Sequence, residues 1–439
     1  MIFVVIFSAL AVSLATMSGT NLQIAVNHHK ADSARICAES GLDVTRYWLS
    51  RISISGTTAD DLKFSQIASS LQADLTSQGI TNITTSYNGS TLTIPSVTLD
   101  AQGQKSFYGT ITKIDNNTLQ LDITGVCGTI TRTIRADFKL GERANNVFDF
   151  GVATRGPLTT QGNISIDGVN IAVESNAYIE SLNSFVALTM SGNSNIAGTV
   201  KIVNPLAMTA IGSKAGVGGD TGADAMKNIE IGAPPVEFPE MVPSIFYSYA
   251  TNVLTPSMDL KDVTLTNIRI PGGMNPSFSG QANLNGIVLI ESPNVVDFVG
   301  GVNIMGVIVT NGDPTDDSGA NQLIFRGNVA DYSVDLLTDE LQFAGLQSQT
   351  GTFIIAPGFA VSFGGTMDTS GAIAANGVEF FGNAGGKIKG SVINYADKVM
   401  MVWGNSDLHF NRSGTTEVPA GFVPEIVLLY EPSTYTEVL

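Results

Sequence analysis

The feature that most constrains this chain is its start. The 27 residues from Met1 to Asn27 carry no charged side chain, and the first seventeen, MIFVVIFSALAVSLATM, are broken only by Ser8, Ser13 and Thr16. At about 1.5 Å of rise per residue, a helix through these positions spans roughly 40 Å, enough to cross a hydrocarbon layer about 30 Å thick. A helix that is apolar on every side must bury itself in lipid or against protein. A secretory signal starts with a basic stretch and ends at a small-residue cleavage site. Neither is evident here, and the run reads as one from which a basic leader has been removed.

The helical pattern continues past the apolar run. Ala34, Cys37, Gly41, Val44, Trp48 and Ile52 recur every three or four residues as one stripe, while Asp32, Arg35, Glu39, Asp43, Arg46 and Arg51 occupy the other sides. One helix of roughly fifty residues is therefore predicted, apolar all round at first and amphipathic later. Its weakest point is Ser18-Gly19-Thr20, because a glycine inside a helix costs about 1 kcal/mol.

These residues, MIFVVIFSALAVSLATM followed by HHKADSARICAESGLDVTRYWL, resemble the first helix of a mature type IV pilin or pseudopilin. The resemblance covers residues 1–54. It implies that the first half of the helix is inserted in the cytoplasmic (inner) membrane before assembly and then packs in a filament core, while the second half holds a globular head. The assembly surface would comprise Met1, Ile2, Phe3, Val4, Val5, Ile6, Phe7, Leu10 and Leu14. The implied partners are other copies of the chain or other pilins in an extracellular, cell-surface filament. Many pilins have a glutamate at the fifth mature position; this chain has Val5, as some minor and tip pilins also lack the acid.

The rest of the chain reads as mainly β. Only 14% of residues are charged, there are 46 glycines, and 43% of residues are hydrophobic, which suits short strands and tight turns around real cores. Residues 58–79 predict a short amphipathic helix with Leu62, Ile67, Leu71 and Leu75 on one face. The strand-like runs after it predict an antiparallel meander, so that residues 55–145 form a small α+β, pilin-like head packed on the long helix. Cys37 on the helix stripe and Cys127 at a turn of the meander are candidates for a disulfide; two free thiols are the alternative reading.

From about residue 146 the texture changes to short apolar runs separated by Gly and Asn. Asn283-Leu284-Asn285-Gly286-Ile287-Val288 recurs as Asn303-Ile304-Met305-Gly306-Val307-Ile308, and Gly351, Gly371 and Gly390 each precede a strand. A period near 20 is a rung length of a β-solenoid, so residues 146–420 predict a right-handed parallel β-helix, with a sandwich or jelly roll as the alternative. Ile287, Leu289, Val307 and Val309 are expected to point into its interior. A Gly- and Pro-rich excursion is expected near residues 212–260, and residues 421–439 read as a capping segment or strand, with folding back over the solenoid favoured over pairing elsewhere.

With 22 basic against 39 acidic residues the formal charge is -17, which repels polyanions; nucleic acid is not an expected partner. No cofactor is expected. Asp313, Asp316 and Asp317 form a carboxylate-rich stretch that could hold Ca²⁺, but it lacks the ligand spacing of a calcium loop. The histidines are His28, His29 and His409, none beside an acidic pair in sequence, and no catalytic constellation emerges, so the chain is read as a non-enzyme. The function expected is a structural filament subunit that displays a solenoid, open to a surface glycan or protein ligand. The alternative is an anchored or secreted solenoid adhesin that does not polymerise.

Overall fold

The computed structural model describes residues 2–316, 318–413 and 418–438. The protein is mainly β with one long N-terminal helix, and it divides into two compact units, residues 1–143 with 425–439, and residues 144–424.

In the first unit, α1 runs unbroken over Ile2–Ser50, including Gly19. Residues 2–29 are exposed on every side, with Phe3 77% exposed. From residue 33 onward one face is buried: Ala34, Cys37, Ala38, Gly41, Leu42, Thr45, Trp48 and Leu49. These positions overlap the stripe anticipated from the three- and four-residue spacing, with Ala38, Leu42 and Leu49 widening it. A shorter helix, α2 (Lys63–Ser77), contributes Phe64, Ile67, Ala68, Leu71 and Leu75 to the same core.

The sheet beneath is antiparallel. Strands β1 (Ser53–Ser55), β2 (Ser86–Tyr87), β3 (Thr91–Thr98), β4 (Lys105–Lys113), β5 (Thr118–Cys127) and β6 (Ile130–Arg143) are joined by the C-terminal strand Glu425–Val438, which lies between β1 and β6. Along β5 the alternation is regular: Leu119, Leu121 and Ile123 are buried while Gln120, Asp122 and Thr124 are half-buried. Two glycines set how closely helix and sheet approach. A Cβ on Gly125 would lie 2.1 Å from the carbonyl oxygen of Ala34, and one on Gly41 would lie 2.6 Å from the ring of Phe107.

The C-terminal strand corrects an expectation. Residues 421–439 were expected to fold back over the solenoid, yet Glu425–Val438 completes the antiparallel sheet of the first unit, with Leu428 opposite Leu140 and Tyr430 opposite Phe138. The physical reason is that β6 has a free edge of 14 residues, and Ile426 and Leu428 bury their side chains in the helix-sheet core. The N-terminal unit is thus discontinuous in sequence, and the second unit is inserted before its last strand.

The second unit is built from parallel, in-register strand ladders. The 20-residue repeat appears as a direct pairing: Asn283 lies opposite Asn303, Leu284 opposite Ile304 and Gly286 opposite Gly306. The amide of Asn303 donates to the side-chain oxygen of Asn283 at 3.0 Å. Phe278, Phe298, Phe325, Phe363 and Phe380 stack one above another with ring centroids 4.9, 4.8, 5.0 and 5.4 Å apart. Those separations match the spacing of adjacent strands, about 4.8 Å, so each of these five coils adds one ring to a continuous core.

Chain order and stacking order differ. The first coil, β7 (Val152–Thr154), β8 (Leu158–Gly162) and β9 (Ser165–Gly168), lies inside the stack, not at its end. One side receives the next coil, Ala177–Ile179, Val186–Gly192 and Asn195–Ile196. The other side receives the last coil, Val392–Asn394, Met400–Gly404 and Asp407–Asn411. The first and last coils therefore meet inside the stack, along a seam between residues about 240 apart.

The Pro-rich stretch explains how. From Ile229–Ile231 to the re-entry at Asn252–Val253 the ladder counts ten strand-to-strand steps, about 48 Å at the usual spacing. Residues 232–251, extended except for the 3-10 turn Pro243–Tyr249, reach up to roughly 57 Å. They act as a strap that carries the chain from one end of the stack to the other. Tyr178 Oη accepts from the backbone N–H of Val236 at 2.7 Å, and Tyr395 Oη donates to the carbonyl of Pro239 at 2.7 Å. The Gly-rich residues before the strap stay in the ladder: Gly216–Val217 pairs with Asn195–Ile196 and Ile229–Ile231 with Val200–Ile202.

The strap also reverses one assignment. Ile287, Leu289, Val307 and Val309 do not join the main interior, which takes Leu284, Val288, Ile290, Ile304 and Ile308. They form a second core with Phe238 and Phe246 of the strap and with Phe343. Both faces of these strands are buried, and a continuous apolar run gives no alternation from which to choose the inner face.

Candidate functional site

Three places bear on function. The first is the exposed half of α1. Ile2, Phe3, Val4, Val5, Ile6, Phe7, Leu10 and Leu14 are all exposed, and the segment is long and apolar enough to cross a membrane. Met1 lies outside the described residues. Two of the polar side chains that interrupt the run return their hydrogen bonds to the helix: Ser8 Oγ donates to the carbonyl of Val4 at 2.8 Å, and Thr16 Oγ1 to that of Val12 at 2.8 Å. These two hydroxyls therefore carry no unpaired donor into an apolar surrounding.

The second is the cysteine pair. Cys37 is buried on α1 and Cys127 is half-buried at the end of β5, both as free thiols. Burial pushes the Cys37 thiol up, and the neighbouring Cys127 acts in the same direction. Such a thiol is a poor nucleophile.

The third is the set of acidic groups in the ladder. Asp313 Oδ1 accepts from the backbone N–H and hydroxyl of Thr315 at 2.8 and 2.7 Å, and Asp316 Oδ1 accepts from the N–H of Ser318 at 2.9 Å. Asp316 Oδ2 also accepts from the Asn321 amide at 3.0 Å. These backbone and hydroxyl donors hold both carboxyls below the usual range. Donors of the loop thus occupy both carboxylates; Asp317, the third member of the calcium candidate, lies outside the described residues.

Elsewhere the fold assembles what the sequence keeps apart. Asp407 and His409 share one face of a strand, and the in-register pairing sets His409 opposite Asp167 and Asp407 opposite Ser165. The candidate ligand atoms of Asp167, Asp407 and His409 all lie within 4.8 Å of one another, with His409 Nε2 3.2 Å from Asp407 Oδ2. The reading that no histidine lies beside an acidic pair is therefore corrected. The signal available in sequence was Asp-x-His in a strand, which places both side chains on one face; Asp167 is about 240 residues away and only the seam brings it in.

A cavity of about 490 Å³ is lined in part by Asp331, Tyr332, Ser333, Ser370, Lys389 and Ser391. Asp331 is buried, and its Oδ2 accepts from the N–H and hydroxyl of Ser370 at 2.8 and 2.7 Å while Oδ1 has no partner. Burial pushes this carboxyl up to about 7, against the pull of the Ser370 bonds.

No known family and no curated protein matches the chain. Among solved structures, the crystal structure of the competence-associated pilin ComZ from Thermus thermophilus is similar at 13% identity, covering 93% of this chain and 98% of that one, with a TM-score of 0.24. A likeness at that score carries no argument about fold or function.

Proposed function

We propose that this chain is a structural subunit of a type IV pilus-like filament, assembled through residues 1–29 of its N-terminal helix and displaying a parallel β-solenoid at the cell surface. The observation that carries the reading is a single continuous helix with two characters. Residues 2–29 expose apolar side chains all round, whereas from residue 33 the same helix is fixed to an antiparallel sheet. An exposed apolar surface of this extent needs lipid or protein around it. A membrane holds the first half before assembly, and copies of the same segment replace the lipid in the filament core. The solenoid, inserted before the last strand of the head, is the part offered to the outside, where a surface glycan or protein is its ligand. No catalytic role is assigned.

The test is a charge in the apolar segment. Val5→Lys or Ala11→Asp, each of which costs about 2.5 to 3.5 kcal/mol at a helix centre in a bilayer, is expected to abolish surface filaments seen by electron microscopy. Normal filaments from both variants would overturn the reading. Wild-type protein that stays in the membrane as a monomer under every condition would favour the anchored adhesin instead.

A further inference from the structure

The seam of the solenoid brings together three ionisable side chains from opposite ends of the second unit's sequence. Asp407 and His409 belong to the last coil and Asp167 to the first, and their donor atoms converge within 4.8 Å. Asp167 accepts a hydrogen bond from Ser165, which restricts its carboxylate. Two carboxylates this close repel each other, and like charges on facing strands destabilise a sheet. A neighbouring histidine offsets this only when protonated. A cation satisfies all three groups at once.

The donor set decides which cation. One imidazole nitrogen with two carboxylate oxygens suits zinc and similar divalent transition metals. Calcium takes six to eight oxygens and has little use for the imidazole. The ladder holds the backbone of both strands in register, and the three groups are half-buried or exposed, so water can complete the coordination. Lys387 pairs in register with His409 on its other side and is exposed. Its flexible stem lets the ammonium turn to solvent when a metal enters.

We propose that Asp167, Asp407 and His409 form a divalent transition-metal site, of the zinc type, that clasps the first and last coils of the solenoid together. This is independent of whether the chain polymerises. The metal binds only where both coils are paired, so it stabilises that pairing by mass action.

The experiment titrates zinc chloride into the full chain, held in a polyoxyethylene detergent and stripped with a chelator, with His28→Ala and His29→Ala removing the other imidazoles. Calorimetry is expected to show one Zn²⁺ per chain, and excess Zn²⁺ is expected to raise the melting temperature of the β-rich unit, whereas Ca²⁺ does not. His409→Gln and Asp167→Asn should each weaken binding by about tenfold or more and remove the thermal shift. If Asp167→Asn fails to fold, Asp407→Asn carries the test from the opposite strand. Absence of zinc binding, or binding by Ca²⁺ of equal strength, would overturn the proposal. Binding unchanged in a folded Asp167→Asn variant would overturn it too, because the metal would then lie on one strand and not across the seam.

Discussion

The two units bury their sheets in opposite ways. In the first, an antiparallel sheet covers one face with α1 and α2, and the longest apolar surface left over is residues 2–29 of the helix. In the second, parallel coils stack so that each covers the next, and where a strand is apolar on both faces the strap and its neighbours cover the outer one. The difference teaches that the first unit leaves the apolar residues 2–29 of its helix uncovered, while the second covers its ladder with its own coils and strap.

The comparison can be broken most severely at the contact between α1 and β5. Gly125→Val would place side-chain atoms against the backbone of Ala34 and Ala38, at 2.1 and 2.3 Å from the new Cβ. Overpacking usually costs about 1 to 3 kcal/mol, and more where backbone is the obstacle. Thermal unfolding should therefore show the helix-sheet unit melting early or not folding, with the ladder transition unchanged. A joint loss of both would mean the units are not separate in stability.

The cysteines sharpen the same contact from the other side. We infer that Cys37 and Cys127 can be joined under oxidising conditions, closing a loop of about 90 residues, which the chain-entropy account values at roughly 4 to 5 kcal/mol. Non-reducing mass spectrometry of protein taken from the native envelope should show the linked peptides, and reduction should lower the melting temperature of the first unit alone. Two free thiols in that material would exclude the bridge.

A smaller effect belongs to the ladder. Asp331 is pushed up to about 7 from an ordinary 3.8 by burial. Its folded form holds the proton more tightly than the unfolded chain, so the stability lost to this group grows as pH rises from about 4 to about 7 and then levels. At 1.36 kcal/mol per unit, that is up to roughly 4 kcal/mol at pH 8. Asp331→Asn, which keeps an acceptor for Ser370, should raise the melting temperature of the second unit at pH 8 and leave it nearly unchanged at pH 4. An equal effect at both values would show that packing, not ionisation, dominates there.

How far the sequence speaks differs between the units as well. The helix and its stripe were legible because a 3.6-residue period is local, and the pairing of Asn283 with Asn303 was legible because the repeat is nearly undistorted. The C-terminal strand was not: Ile426–Tyr430 shows that a strand exists, but nothing local tells it to choose an edge formed almost 300 residues earlier. The strap was visible as a Pro-rich interruption and not as a crossing, since its length matters only once the number of coils to be passed is known. The site around His409 was missed for the same reason: Asp407 is two residues away, but Asp167 arrives only when the last coil meets the first.

The central claim is that residues 1–29 are the assembly element. Cryo-electron microscopy of filaments sheared from cells that express the wild-type chain tests it most directly. The account predicts a continuous central bundle in which this segment of each subunit is surrounded by the same segment of its neighbours, with the solenoids on the outside. Filaments held together by solenoid contacts, with the N-terminal segments exposed or left in lipid, would contradict it.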